Sequence, residues 1–297
     1  MIEILNNQFG LEGHLTFRRG NGGLVKAVIA NAHAAAEVYL HGAHVTHYQP
    51  VETGPVLWIS DSAVFAAGKA IRGGVPVCWP WFGVHATNPE FPQHGFARVS
   101  EWSVVATASG TDGTTSISLV LEGDGSLDLW PHPFRLCLAV TVGKALTLSL
   151  TARNNADVAL EFGAALHSYF RVGDRDSIRI SGLDGCDYLD KPDNFVSKRQ
   201  HGDILLDGEV DRVYIETTAD CRIHDPVLAR RIIVGKSGSR STVVWNPGLA
   251  GALQIPDFDD DGYRRMVCVE SANAASDTRL LEPRQSHNLV QRITVTY

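Results

Sequence analysis

Residues 146–151, Leu-Thr-Leu-Ser-Leu-Thr, alternate apolar and polar side chains, and that period of two restricts the segment to a half-buried strand. Extended backbone sends successive side chains to opposite faces, so Leu146, Leu148 and Leu150 share one face. Comparable segments stand at 117–121, 136–142, 242–245 and 292–297. Between them lie GTDGTT (110–115) and EGDGS (122–126), whose Gly, Asp and Ser supply turn conformations. Helical periodicity is scarce; short stretches after Pro256 and at 61–67 come nearest. Hydrophobic residues make up 44% of the 297, enough for a large core, and no linker or solenoid repeat divides the chain. These features predict an all-β protein: a large antiparallel β-sandwich, one domain over residues 1–297, with a terminal strand running to Tyr297.

The formal charge of −7 and a pI near 5.9 argue against nucleic acid or an anionic membrane as partner. An anionic ligand would need its own local arginines. The five cysteines, Cys78, Cys137, Cys186, Cys221 and Cys268, are scattered without a CxxC pair, which fits reduced thiols and not a zinc framework. MIEILNNQFG has neither a basic n-region nor an apolar h-region, and no apolar run approaches the length of about 18 residues that a membrane span requires. The expectation is a cytoplasmic protein and a monomer.

Four segments carry possible chemistry. In AIRGGVPVCWPWFG (70–83), glycines and prolines within an aromatic run exclude a regular strand. A rigid loop should anchor Trp79, Trp81 and Phe82 or place them along a cavity. Arg72 beside Gly73-Gly74 either faces a ligand or forms an ion pair at a structural turn. PQHGFAR (92–98) gathers Gln93, His94 and Arg98, which are partners for hydroxyls and phosphate, or else form a solvated turn. In LHSYF (166–170), strand alternation would put His167 and Tyr169 on one face. His167 is then either a hydrogen-bonded core residue or a tuned acid. In MVCVESAN (266–273), Glu270 should end an apolar strand, as a structural cap or as a base at a cavity mouth; Asp211 in EVDRVY has the same two readings. His41, His44 and His47 are spaced like metal ligands on a helix, but Gly42 and β-branched neighbours favour a strand that would turn His44 away, so no metal is expected. GxSxG and GxxxxGK[ST] motifs are absent.

IRGGVPVCWPWFG, PQHGFAR, LHSYF, EVDRVY, VVWNPG (243–248) and VCVESAN together resemble, in order, the hexose-6-phosphate mutarotase (glucose-6-phosphate 1-epimerase) family, over roughly Val38 to Tyr297. The resemblance implies a galactose-mutarotase-like β-sandwich and cofactor-free exchange of α and β anomers of a phosphorylated hexose. It implies His167 as general acid and Glu270 as general base. It also implies Arg72 and Arg98 as phosphate and sugar contacts, Gln93 and Asp211 in the same pocket, and His94 near the ring oxygen. The alternatives are an epimerase of unphosphorylated aldoses or a non-catalytic carbohydrate-binding domain. The chain departs from the family pattern at Arg284, where glycine is usual, and before about Val38.

Overall fold

A computed structural model describes residues 1–297. Strands dominate, and all named sheet pairings are antiparallel. One eight-stranded sheet runs in the order 179–181, 221–225, 230–237, 286–296, 145–154, 133–142, 115–124, 103–109. Leu146, Leu148 and Leu150 are buried on its inner face, as the alternation requires. A second eight-stranded sheet runs 196–199, 187–190, 210–214, 241–246, 266–273, 164–166, 77–78, and strand Tyr169–Arg171 also pairs with 266–273. Strands 15–19, 25–30, 34–39 and 44–50 form a four-stranded sheet, and 160–162 pairs with 279–281. No helix is long and apolar enough to cross a membrane.

The two large sheets share a core of 55 buried residues, in which Leu138, Leu148 and Ile293 of the first pack with Leu166, Val244, Val267 and Val269 of the second. Burying this apolar surface is the main favourable term in the fold. Alternation divides the Met266–Asn273 strand cleanly. Val267 and Val269 join the sandwich core, whereas Met266 and Cys268 belong to a separate apolar cluster on the opposite side. Glu270 follows Cys268 by two residues and therefore points to that outer side as well.

Several local expectations need correction. The 61–67 stretch is irregular, and the helical turns near Pro256 are Gly248–Ala252 and a short 3₁₀ segment at 262–265. An eight-residue helix, Ile2–Phe9, lies where none was expected. It lays Ile2, Leu5 and Phe9, spaced i, i+3, i+7, against the core. The 70–83 segment includes a two-residue strand, Val77–Cys78, but is otherwise irregular as predicted. Glu270 lies within its strand and not at its end, because small residues extend the pairing to Asn273. His41 is in a turn, with Gly42 and Ala43 at φ 72° and 47°, and the strand starts only at His44. His41 and His44 turn their Nε2 atoms to the carbonyls of Lys69 and Gly73, at 2.7 and 2.8 Å. Arg284 adopts φ 68°, so the left-handed turn survives without glycine, and its side chain donates to the Asn155 carbonyl at 2.8 Å.

His44 is fully buried, and desolvation lowers its pKa from 6.5 to about 3 against the opposing Gly73 hydrogen bond. Folded His44 therefore stays neutral where an unfolded chain takes up a proton. The stability this provides is complete above about pH 6.5 and is lost as pH falls toward about 3. Chemical denaturation of His44→Gln from pH 6.5 to 4 should show an acid slope shallower than wild type by about 1.4 kcal/mol per pH unit; equal slopes would contradict this assignment.

Candidate active site

The outer face of the second sheet is roofed by the 71–83, 83–98, 191–195 and 248–258 segments, and between face and roof lies a cavity of about 800 Å³. From the sheet come Asp211, Trp245 and Glu270; from the break between strands 164–166 and 169–171 comes His167. The roof supplies Arg72, Gln93, His94 and Arg98. All seven residues singled out in the sequence therefore line one cavity. His167 is not in a strand, yet its ring stacks on Tyr169 at 4.8 Å with planes 10° apart, while Leu166 and Phe170 turn into the core.

His167 Nε2 stands 3.4 Å from Glu270 Oε1, and the two residues are 6% and 1% exposed. Desolvation dominates both titrations. It drives Glu270 well above the usual carboxylate range, against the opposing Lys191 charge, and His167 well below its usual value, with help from Arg98 and Arg72. Burial therefore disfavours the charged form of each, and the two titrate as a coupled unit. Glu270 Oε2 and His167 Nδ1 are buried without a protein partner, as are Asp211 Oδ1 and Arg98 Nε.

The cations differ in their freedom. Arg72 donates from Nε and Nη2 to Asp257 Oδ1 at 3.2 and 3.1 Å, and from Nη1 to the Tyr169 hydroxyl at 3.2 Å. Burial opposes its charge, but Tyr169 and Asp257 outweigh that and raise its pKa. Arg98 is held only through Nη2, by the Gln93 carbonyl at 2.8 Å. Lys191 ion-pairs with Asp211 at 3.0 Å and lies 5.5 Å over the Phe82 ring. Burial raises the Asp211 pKa, and the Lys191 ammonium opposes that rise. Sequence reasoning missed Lys191, Tyr169 as a partner of Arg72, and Asp257. Tyr169 had a signal inside LHSYF, whereas Lys191 stands in none of the motifs and Asp257 is 185 residues from Arg72.

His94 accepts a hydrogen bond at Nδ1 from the Gly83 amide at 3.3 Å, so its Nε2 carries the proton. Burial, reinforced by Arg98, lowers its pKa well below the usual value and keeps it a neutral donor. Its ring meets that of His167 edge-on at 5.5 Å. On the far rim Phe195 is 58% exposed and has φ 60°, a conformation that costs a residue with a side chain about 1–2 kcal/mol. Cys268 Sγ and the nitrogen and oxygen atoms of His167 and Glu270 lie within 4.8 Å of one another. Burial, followed by the Glu270 charge, pushes the thiol well up.

The aldose 1-epimerase family matches residues 26–294. The chain belongs to the aldose 1-epimerase family. A Salmonella typhimurium protein provisionally named glucose-6-phosphate 1-epimerase is 36% identical over 274 residues, covering 90% of this chain and 89% of its own. A provisionally assigned mutarotase structure from Salmonella typhimurium superposes with TM-score 0.88 at 34% identity, over 95% of this chain and 94% of that one. A galactose mutarotase-like structure from Clostridium acetobutylicum shares the fold at TM-score 0.74 and 14% identity, over 95% and 98%. The aldose 1-epimerase fold expected from the motifs is thus the fold observed, including residues before Val38 that carried no motif.

The aldose 1-epimerase pocket here depends on one close backbone contact. Gly95 has φ 72°, and a Cβ there would fall 2.0 Å from the Trp79 carbonyl oxygen. Gly95→Ala should therefore separate the Gln93–Arg98 segment from Trp79 and destabilise the protein by at least about 2 kcal/mol. Thermal and urea unfolding would check this, and a change under about 0.5 kcal/mol would refute the contact's importance.

Proposed function

We propose that the protein interconverts the α and β anomers of a hexose 6-phosphate, without a cofactor. The observation that carries the reading is the buried His167–Glu270 pair, 3.4 Å apart and open to the cavity. Family membership and the names of the relatives at 35–36% identity support the reaction and the phosphorylated substrate.

The chemistry follows from the pair's single proton. In the reactive arrangement Glu270 is a carboxylate and His167 an imidazolium. Glu270 removes the proton from the O1 hydroxyl, the O1–C1 bond becomes a carbonyl, and the C1–O5 electron pair leaves onto O5, which takes the His167 proton. The open-chain aldehyde then faces a neutral glutamic acid and a neutral imidazole. Rotation about C1–C2 presents the other carbonyl face, and closure returns each proton. Burial favours the neutral pair, so the charged arrangement that starts the reaction is the costly one. In the closed stages the two charges are adjacent and of opposite sign, which limits their cost.

The neutral His94 donor can hold a sugar oxygen without competing for the proton. Arg98, held through Nη2 alone, is the freer cation for the phosphate, while Arg72 is braced by Asp257 and orients Tyr169 beneath His167. Lys191 and Asp211 close the side of the cavity nearest the 191–195 loop.

Freshly dissolved α-glucose 6-phosphate, followed by polarimetry or NMR, tests the reading directly, and wild-type protein that leaves the spontaneous rate unchanged would remove it. Glu270→Gln should lower kcat by about 10²–10⁴-fold. After subtraction of the uncatalysed rate, kcat/KM should pass through a plateau in which the pair holds one proton. It should fall at high pH as the pair loses its last proton, because desolvation has moved the two titrations apart. Arg98→Ala should raise KM for glucose 6-phosphate about 100-fold and leave any turnover of glucose unchanged, consistent with loss of a charge-assisted phosphate contact. Equal effects on both sugars would instead favour an unphosphorylated aldose as substrate.

A further inference from the structure

His167 and Glu270 face the cavity, but their spacing is governed from the other side of the sheet. His167 and Ser168 fall in the break between strands 164–166 and 169–171. There the His167 amide donates to the Pro76 carbonyl and the Ser168 amide to the Leu166 carbonyl, at 3.1 Å each. The direct backbone tie from this break to the Glu270 strand is a longer one, from the Val269 amide to the Ser168 carbonyl at 3.3 Å. The ladder that fixes the rest of the sheet is thus thin where the proposed acid sits.

Behind the break stands Gln291, which belongs to the Ser286–Thr296 strand of the opposite sheet and is fully buried. Its Nε2 donates to the Ser271 hydroxyl at 3.0 Å and to the Val269 carbonyl at 3.4 Å. Its Oε1 accepts from the Ser168 hydroxyl. The orientation of the amide is forced, since the Val269 carbonyl can only accept and the nitrogen end must face it. Ser168 and Ser271 are the immediate chain neighbours of His167 and Glu270. In each pair one side chain points into the sandwich and the other into the cavity. One amide therefore holds, from behind, both residues that flank the proposed acid and base.

The surroundings give no cheaper reason for an amide. Its cross-strand partner Leu148, its same-face strand neighbours Leu289 and Ile293, and Val269 are almost wholly buried. A leucine would fill such a site without any hydrogen bond to satisfy, and an unsatisfied buried polar group costs about 1–3 kcal/mol. A satisfied buried network in an apolar core specifies one arrangement of its members. We propose that Gln291 is a positioning residue, setting the distance between His167 and Glu270 by pinning Ser168 and Ser271 to the opposite sheet. The inference rests on the acid/base assignment of that pair.

The test uses Gln291→Leu beside the triple variant Ser168→Ala/Ser271→Ala/Gln291→Leu. The single variant leaves two hydroxyls unpaired in the core and should be less stable than the triple, in which the whole network is apolar. Both should lose kcat for anomer exchange by about 10–100-fold with KM within about threefold, because misplacement of about 1 Å costs on that order. A purely structural role would let kcat recover with stability in the triple variant. The ¹⁵N and ¹H resonances of the His167 ring provide a second readout that needs no turnover, and they should shift in both variants. A folded triple variant with wild-type kcat and unshifted His167 resonances would overturn the inference. Wild-type protein without anomer exchange would instead remove the acid/base reading, while the resonances would still report whether Gln291 sets the geometry.

Discussion

The pleat of the Met266–Asn273 strand is the constraint on which the rest depends. All eight of its residues are buried. It pairs with strands 241–246, 164–166 and 169–171, so it cannot shift without disturbing all of them. Its period of two assigns Val267 and Val269 to the sandwich and Cys268 and Glu270 to the cavity. A one-residue slip would bury a carboxylate between the sheets and expose the core face. The same residues that close the core therefore fix where the carboxylate points. A carboxylate at the centre of a sheet is also dry, and that dryness raises its pKa.

The charges around the cavity obey a related logic. Each cation that meets the cavity is moored: Arg72 by Asp257 and Tyr169, Lys191 by Asp211, Arg98 by a backbone carbonyl. A moored cation contributes field and hydrogen bonds without reorganising when a ligand arrives. His94 contributes a donor with no charge, because burial beside Arg98 keeps it neutral. Acidic overall, the chain still places Arg72, Arg98 and Lys191 around this cavity.

Much of this was legible in the amino-acid sequence, for definite reasons. Segments such as 146–151 announced themselves because an amphipathic strand writes its geometry into alternate residues. The Ile2–Phe9 helix had a readable pattern too, but it spans only two turns, too few for periodicity to stand out. The seven site residues stood within motifs dense in glycine, proline and aromatic residues, and all seven line the cavity. The residues that hold them were not legible. Asp257 meets Arg72, and Gln291 meets Ser168, across sequence separations of 185 and 123. No local pattern marks either one. Glu270 as a strand terminus was a misreading of Ser271-Ala-Asn273, whose small side chains suit a strand crowded on both faces.

The cavity has a floor of sheet and a roof of irregular segments, and the two carry different burdens. Roof residues such as Phe195 and Gln93 are exposed and contribute little to the core. The floor is continuous with the sandwich and tolerates almost no change. Descendants of this chain could therefore vary exposed roof positions such as Val84, Gln93 and Phe195, and so come to admit different sugars. The proton-transfer pair beneath would be inherited intact, protected by the same packing that keeps the protein folded.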